Sequence, residues 1–190
     1  GERLRASVEA GRRAGGMYSY CFLDWQNAWR EEWTEHARAL LDQCVADGAV
    51  GLKIFKALGL GYLIDDGVLL RVDEPKLDAT FAYAGELGLP VLIHTGDPRA
   101  FFEAPTPDNE RYDELSAHPS WSFYGPRPDD GEWPSWRDLL AQFEPRVARH
   151  PQTTFIGAHF GTAPEDPDFV SRMLDRYPHY RVAPGARVAH

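Results

Sequence analysis

Two histidines in this chain each close a short apolar run. Pro90-Val91-Leu92-Ile93-His94 passes into Thr95-Gly96-Asp97-Pro98. Thr153-Thr154-Phe155-Ile156-Gly157-Ala158-His159 passes into Phe160-Gly161-Thr162. Each reads as a buried strand that ends in an imidazole and then turns. In parallel α/β proteins, ligands and reacting groups gather at the carboxyl ends of strands. Two imidazoles there suit a transition metal or proton transfer. The neighbours Gly157, Ala158 and Gly161 are small and leave room for a ligand near the His159 backbone. Asp97 opens a Pro-containing turn, where it either orients a ligand or caps the loop. Lys53 lies inside a strand between Leu52 and Ile54, so it must reach the strand end or pair with a carboxylate.

The elements that position these groups follow a simple order. Glu2 to Arg13 reads as a helix and Met17 to Leu23 as an aromatic-rich strand. Glu31 to Ala46 is an amphipathic helix with Trp33, Ala37, Leu40, Leu41 and Cys44 on one side. Val50 to Phe55 is a strand, Lys56 to Val72 a Gly-punctuated loop, and Lys76 to Leu87 a helix closed by Gly88. Val91 to His94 is the next strand. Pro98 to Pro134 is a long insertion rich in Pro and Trp, too long for a plain connector. Trp136 to Arg149 is helical, Thr153 to His159 a strand, Asp168 to Tyr177 a helix and Tyr180 to Val182 a last strand. Alternating strands and helices imply a parallel sheet with helices packed outside. About five strands can be counted, whereas a closed (β/α)8 barrel has eight and about 250 residues. The chain therefore reads as one domain over 1–190, either a smaller open sheet or part of a barrel.

Composition narrows the partners. A formal net charge of −9 over 190 residues argues against a nucleic-acid backbone or an anionic membrane surface. No stretch approaches the roughly 18 apolar residues of a membrane span, and the first residues lack the apolar region of a signal peptide. Cys21 and Cys44 fit no zinc or redox spacing, and read as two free, buried thiols in a reducing cytoplasm. Aromatics of the insertion, Phe101, Phe102, Trp121, Phe123, Trp133 and Trp136, form either a wall of a small-molecule site or a satellite core. His118 and His150 precede prolines and read as turn residues. His36, His179 and His190 read as surface.

Several segments together resemble a known family. They are Gly51-Leu52-Lys53-Ile54-Phe55-Lys56, Leu87 to His94, Asp97-Pro98-Arg99-Ala100-Phe101-Phe102, His118-Pro119-Ser120-Trp121-Ser122-Phe123 and Ala148 to His159. In that order they resemble the amidohydrolase-related family of metal-dependent TIM-barrel enzymes. That family includes hydrolases and decarboxylases of the aminocarboxymuconate-semialdehyde type. The resemblance runs from about Asp24 to Arg187. It implies an α/β fold, a partial (β/α)8 barrel of about strands 3–7. It makes His94 the fifth-strand metal ligand, and His159 a sixth-strand ligand or acid/base group. Asp97 then assists catalysis, and Lys53, Trp121 and Arg187 contact substrate, Arg187 as a clamp for a carboxylate. The implied cofactor is a divalent metal, Zn2+ before Mn2+.

Two features of the family are missing from the sequence. No His-x-His pair occurs, and the chain stops at His190, before an eighth-strand Asp. The sequence thus reads as an internal fragment of a longer enzyme, lacking the first, second and eighth strands. The expected activity is metal-assisted hydrolysis of a small carboxylate, amide or ester through an activated water. Decarboxylation by the same machinery and a catalytically inactive partial barrel are the alternatives. The expected partner is a small molecule, with self-association through unpaired edge strands allowed.

Overall fold

A computed structural model describes residues 2–65 and 67–185. Five parallel strands form one sheet in the order β1-β2-β3-β4-β5, each beside the next in sequence. They are β1 Tyr20–Phe22, β2 Gly51–Ile54, β3 Val91–Ile93, β4 Phe155–Gly157 and β5 Tyr180–Ala183. Helices Trp33–Ala46, Asp78–Glu86, Trp136–Ala148 and Pro167–Arg176 provide the crossovers, and Glu2–Ala14 precedes the sheet. A doubly wound sheet reverses strand order at its middle, whereas a barrel wall adds each strand beside the last. The sequential order is that of a barrel wall, and the molecule is a partial (β/α)8 barrel.

Register explains which side chains meet which environment. Side chains alternate faces along a strand. The set Cys21, Leu52, Val91, Phe155 and Tyr180 falls on one face and is buried. It packs with Ala37 and Leu41, Phe81 and Ala84, Phe143 and Val147, and Phe169 and Met173 from the four crossover helices. The opposite set, Phe22, Lys53, Leu92, Ile156 and Arg181, lies half-buried or exposed. The helices therefore cover one face only, and Lys53 stands on the other.

Local signals start the helices. Ser135 and Asp138 form a reciprocal capping box ahead of Trp136–Ala148. Asp166 accepts from the Phe169 N–H at 3.0 Å, with Pro167 in the first turn. Between helices, the fully buried guanidinium of Arg146 donates to Asp78, to the Val72 carbonyl at 3.0 Å and to the Glu74 carbonyl at 2.8 Å. It also stacks on Phe81 at 4.3 Å.

Several expectations are corrected by tertiary packing. Cys21 and Cys44 are joined as a disulfide, with Cα atoms 5.9 Å apart, and are not free thiols. Cys21 faces the helix layer, and Cys44 is on the helix that covers it, a pairing hidden by 23 residues of separation. The free-thiol argument for a reducing cytoplasm is therefore lost. His150 opens a turn, its carbonyl accepting from the Thr153 N–H at 3.0 Å, and its ring is buried against Arg146 at 3.0 Å. His179 donates to the Val147 carbonyl at 2.9 Å and is half-buried. No helix among the described residues is long and apolar enough to cross a membrane.

The insertion folds on itself rather than forming an open loop. It holds a short helix Tyr112–Ala117 and two 3-10 turns, Arg99–Phe102 and Pro119–Trp121. Phe102 stacks on Phe123 at 4.9 Å, and Phe123 meets Trp133 edge-on at 5.0 Å. These rings form a satellite core. Trp136 is buried under the main sheet.

Candidate active site

The carboxyl ends of β3 and β4 bring His94 and His159 together. Their rings lie 4.6 Å apart, edge to face at 71°. His94 follows β3 directly, and its backbone N–H donates to the Ile54 carbonyl at 3.0 Å, which fixes it beside β2. Both rings line a cleft of about 310 Å³ with Lys56, Asp97, Pro98, Phe101, Arg111, Glu114 and Trp121. Asp97 is bonded to Lys56, and its other oxygen stands 3.9 Å from His94 Nε2.

His159 reaches this position by an unusual backbone path. The strand ends at Gly157, two residues earlier than the apolar run suggests. Four consecutive residues then turn left-handed: His159 at φ 53°, Phe160 at φ 56°, Gly161 at φ 71° and Thr162 at φ 61°. Left-handed backbone costs a non-glycine residue roughly 1–2 kcal/mol. Thr162 holds the turn in place. Its N–H donates to the Ala158 carbonyl at 2.8 Å, its hydroxyl accepts from the Thr95 N–H at 3.3 Å, and its carbonyl accepts from Trp136 Nε1 at 3.3 Å. Such stored strain is a recurrent mark of functional sites.

The small residues around this turn serve a different purpose from the one their size suggests. A Cβ at Gly157 or at Gly161 would lie 2.3 Å from the Tyr180 hydroxyl oxygen. The space is filled by Tyr180, not left for a ligand. Gly161→Ala adds this clash to a positive φ and should lower stability by about 2–4 kcal/mol. Urea unfolding monitored by circular dichroism checks this.

Burial and nearby charge act on His94, and a hydrogen bond orients His159. His94 is held down to about 3 by burial, and by the neighbouring His159, Lys53 and Lys56 charges. It is therefore a neutral imidazole at physiological pH, the form that donates a lone pair. His159 Nδ1 contacts the Gly185 carbonyl oxygen, which only accepts, so Nδ1 carries the proton. In the neutral ring, Nε2 is then the lone-pair atom. Lys53 is lowered to about 8 by burial alone. Its ammonium lies 5.2 Å from the centre of the Phe55 ring and has no carboxylate partner among the described residues.

The depressed His94 value has a consequence for stability. Below about pH 6.5 the unfolded chain takes up a proton that the folded chain refuses. Folding stability should therefore fall as pH drops from 6.5 towards 3, by roughly 1.4 kcal/mol per pH unit from this group. His94→Gln should flatten that slope in metal-free urea titrations at pH 7, 6 and 5.

The residues expected from sequence distribute unevenly. His94, Asp97, His159 and Trp121 meet in the cleft. Lys53 stands on the uncovered sheet face, near enough to act on His94 by charge but not among the residues lining the cleft. Arg187 lies outside the described residues. Phe101, one of the insertion aromatics, also lines the cleft, and so do Lys56, Arg111 and Glu114, which the sequence does not single out. Lys56 had one available signal, as one of only three lysines in the chain and three residues after Lys53. Arg111 had none.

A catalytic zinc takes three protein ligands and keeps one position open. Among the described residues, no group of three or more His, Cys, Asp or Glu side chains could hold an ion. Asp97, the carboxylate nearest the imidazoles, is engaged by Lys56. His94 and His159 thus offer two ligands, and the described residues do not complete a metal site.

Comparison with known proteins bears on the family and the fold. The amidohydrolase family model matches residues 26–188. No curated protein matches the chain. Among solved structures, an uncharacterized TIM-barrel protein from Bordetella bronchiseptica is similar in fold, with a TM-score of 0.53 and 12% identity. The match covers 96% of this chain and 48% of that protein, so the chain spans about half the length of its structural relative. Within the amidohydrolase match lie both strand-end histidines and the cleft they share, and the chain belongs to the amidohydrolase family.

Proposed function

We propose that the chain is one incomplete domain, 1–190, of an enzyme that hydrolyses a C–N or C–O bond in a small organic molecule at the His94–His159 cleft. The observation that carries the reading is the facing pair of imidazoles at adjacent strand ends, with His159 anchored through Nδ1. Family membership supports it. In this reading His159 Nε2 takes a proton from the attacking water, and the water oxygen adds to the substrate carbonyl carbon. The same imidazole returns the proton to the leaving nitrogen or oxygen. Lys56 keeps Asp97 fixed beside the pair, where the carboxylate orients the water. A divalent metal, zinc or manganese, belongs to the proposal only as a group that His94 and His159 would help to hold. Its ligand set is not complete here, and no step is assigned to it.

A second reading is decarboxylation, favoured by the cations Lys53, Lys56 and Arg111 in or beside the cleft, which suit a carboxylate substrate. The two are separated by assaying the purified chain, with and without added zinc or manganese, on a panel of aryl amides and esters and on unsaturated carboxylates. Release of amine or alcohol supports hydrolysis, and release of carbon dioxide supports decarboxylation. No turnover of either panel with either metal would favour an inactive partial barrel.

A further inference from the structure

The last strand does more for His159 than close the sheet. Phe155 of β4 pairs with Tyr180 of β5, and the ladder runs on past Gly157 through a parallel bridge between Ala158 and Ala183. Just beyond, the Gly185 carbonyl accepts from His159 Nδ1. β5 and the residues after it therefore hold both the backbone before His159 and its ring.

Tyr180 adds a third contact from beneath. Its side chain is buried on the helix-covered face, edge-on to Phe143 at 5.7 Å and 66°. Its hydroxyl lies under the turn, where a Cβ at either Gly157 or Gly161 would collide with that oxygen. Gly157 precedes the left-handed residues His159 and Phe160, and Gly161 is itself left-handed at φ 71°. The hydroxyl thus fills the hollow between the two ends of the turn.

This hydroxyl has no hydrogen-bond partner among the described residues. A buried hydroxyl without a partner weakens a fold, and native proteins hold few of them. Burial also pushes the phenol pKa up, so the group stays protonated and neutral. It therefore contributes shape, not a bond or a charge. A group that costs stability beside strained backbone is a recurrent mark of function.

We infer that Tyr180 is a positioning residue for His159: its hydroxyl wedges the turn between Gly157 and Gly161, so that the imidazole faces His94 with Nδ1 on the Gly185 carbonyl. The effect on activity rests on His159 being the acid/base group proposed above. The positioning itself does not.

The test is Tyr180→Phe in the full chain. Its Tm should equal or exceed the parent's, because an unpartnered hydroxyl is lost. With ¹⁵N-labelled histidine at about pH 9, where an ordinary imidazole is neutral, His159 of the parent should show the form protonated at Nδ1. The signal is assigned by its loss in His159→Asn. In Tyr180→Phe it should move toward the average of the two tautomers. On a panel compound that the parent turns over, kcat should fall about tenfold or more, with KM within about twofold. A purely structural role would lower Tm and leave the ¹⁵N signal in place.

A second pair of variants checks the wedge by size. Without the hydroxyl, a Cβ at Gly161 meets the ring carbon Cζ at 3.7 Å, an ordinary contact. Gly161→Ala should therefore lower Tm clearly less in the Tyr180→Phe background than in the parent. Gly157→Ala should gain no such relief, because its Cβ also lies 2.7 Å from the Gly161 Cα. An unchanged ¹⁵N signal in Tyr180→Phe, or equal Tm losses from Gly161→Ala in the two backgrounds, would overturn the inference. A moved signal with unchanged kcat would remove His159 as the acid/base group and leave the positioning. Absence of turnover by the parent would remove the enzymatic reading, and the ¹⁵N and Tm results would still decide the inference.

Discussion

His159→Asn should lower kcat by about 10²–10⁴-fold while leaving KM and the melting temperature nearly unchanged. The asparagine amide can still donate to the Gly185 carbonyl in place of Nδ1, but nothing replaces Nε2 as the lone-pair atom. The backbone at this position is left-handed, with φ 53° and ψ 51°. Asparagine enters that region more readily than histidine does. The substitution therefore separates chemistry from folding, which His159→Ala would not. His159→Gln is the complementary variant, since it places an amide near Nε2 and gives up the Gly185 anchor. It should lose both activity and thermal stability. Activity of His159→Asn within a few-fold of the parent would remove the acid/base role from this residue.

Asp78→Ala should cost about 3 kcal/mol of folding stability, a fall in Tm of roughly 6–12 °C. Removing the carboxylate leaves the fully buried Arg146 guanidinium without its ion partner. The carbonyls of Val72 and Glu74 remain as acceptors, which keeps the loss at the lower end for a broken buried pair. Arg149 also binds Asp78 through three contacts of 3.0–3.3 Å. Burial raises the Asp78 pKa, but the Arg149 bonds and the Arg146 charge outweigh it, and the net value is below the usual carboxylate range. This stabilisation is therefore present above the unfolded pKa, near 3.8, and is lost as pH falls through the folded value. Asp78→Ala should remove that part of the acid transition.

Much of the fold was legible in the sequence because strand and helix periods are local properties. The positions of β2, β3 and β5 and of the crossover helices follow from apolar spacing, Gly and Pro. The site was legible where it depended on what ends a strand, which is how His94, Asp97 and His159 stand out. What could not be read depended on long-range packing. The Cys21–Cys44 bond joins a strand to a helix. The left-handed turn at His159 is held by Thr95 and Trp136, which lie 67 and 26 residues from Thr162. Gly157 and Gly161 looked like space for a ligand, and are instead the footprint of Tyr180. Arg111 lies in an insertion whose course over the cleft leaves no periodic trace.

The most direct test of the account is a zinc titration of the purified chain beside its His94→Ala and His159→Asn variants, followed by calorimetry. If the facing imidazoles are the centre of the site, the parent should bind zinc only weakly, through the two ligands that His94 and His159 offer, and both variants should lose that binding. Binding that survives in both variants would place the ion elsewhere.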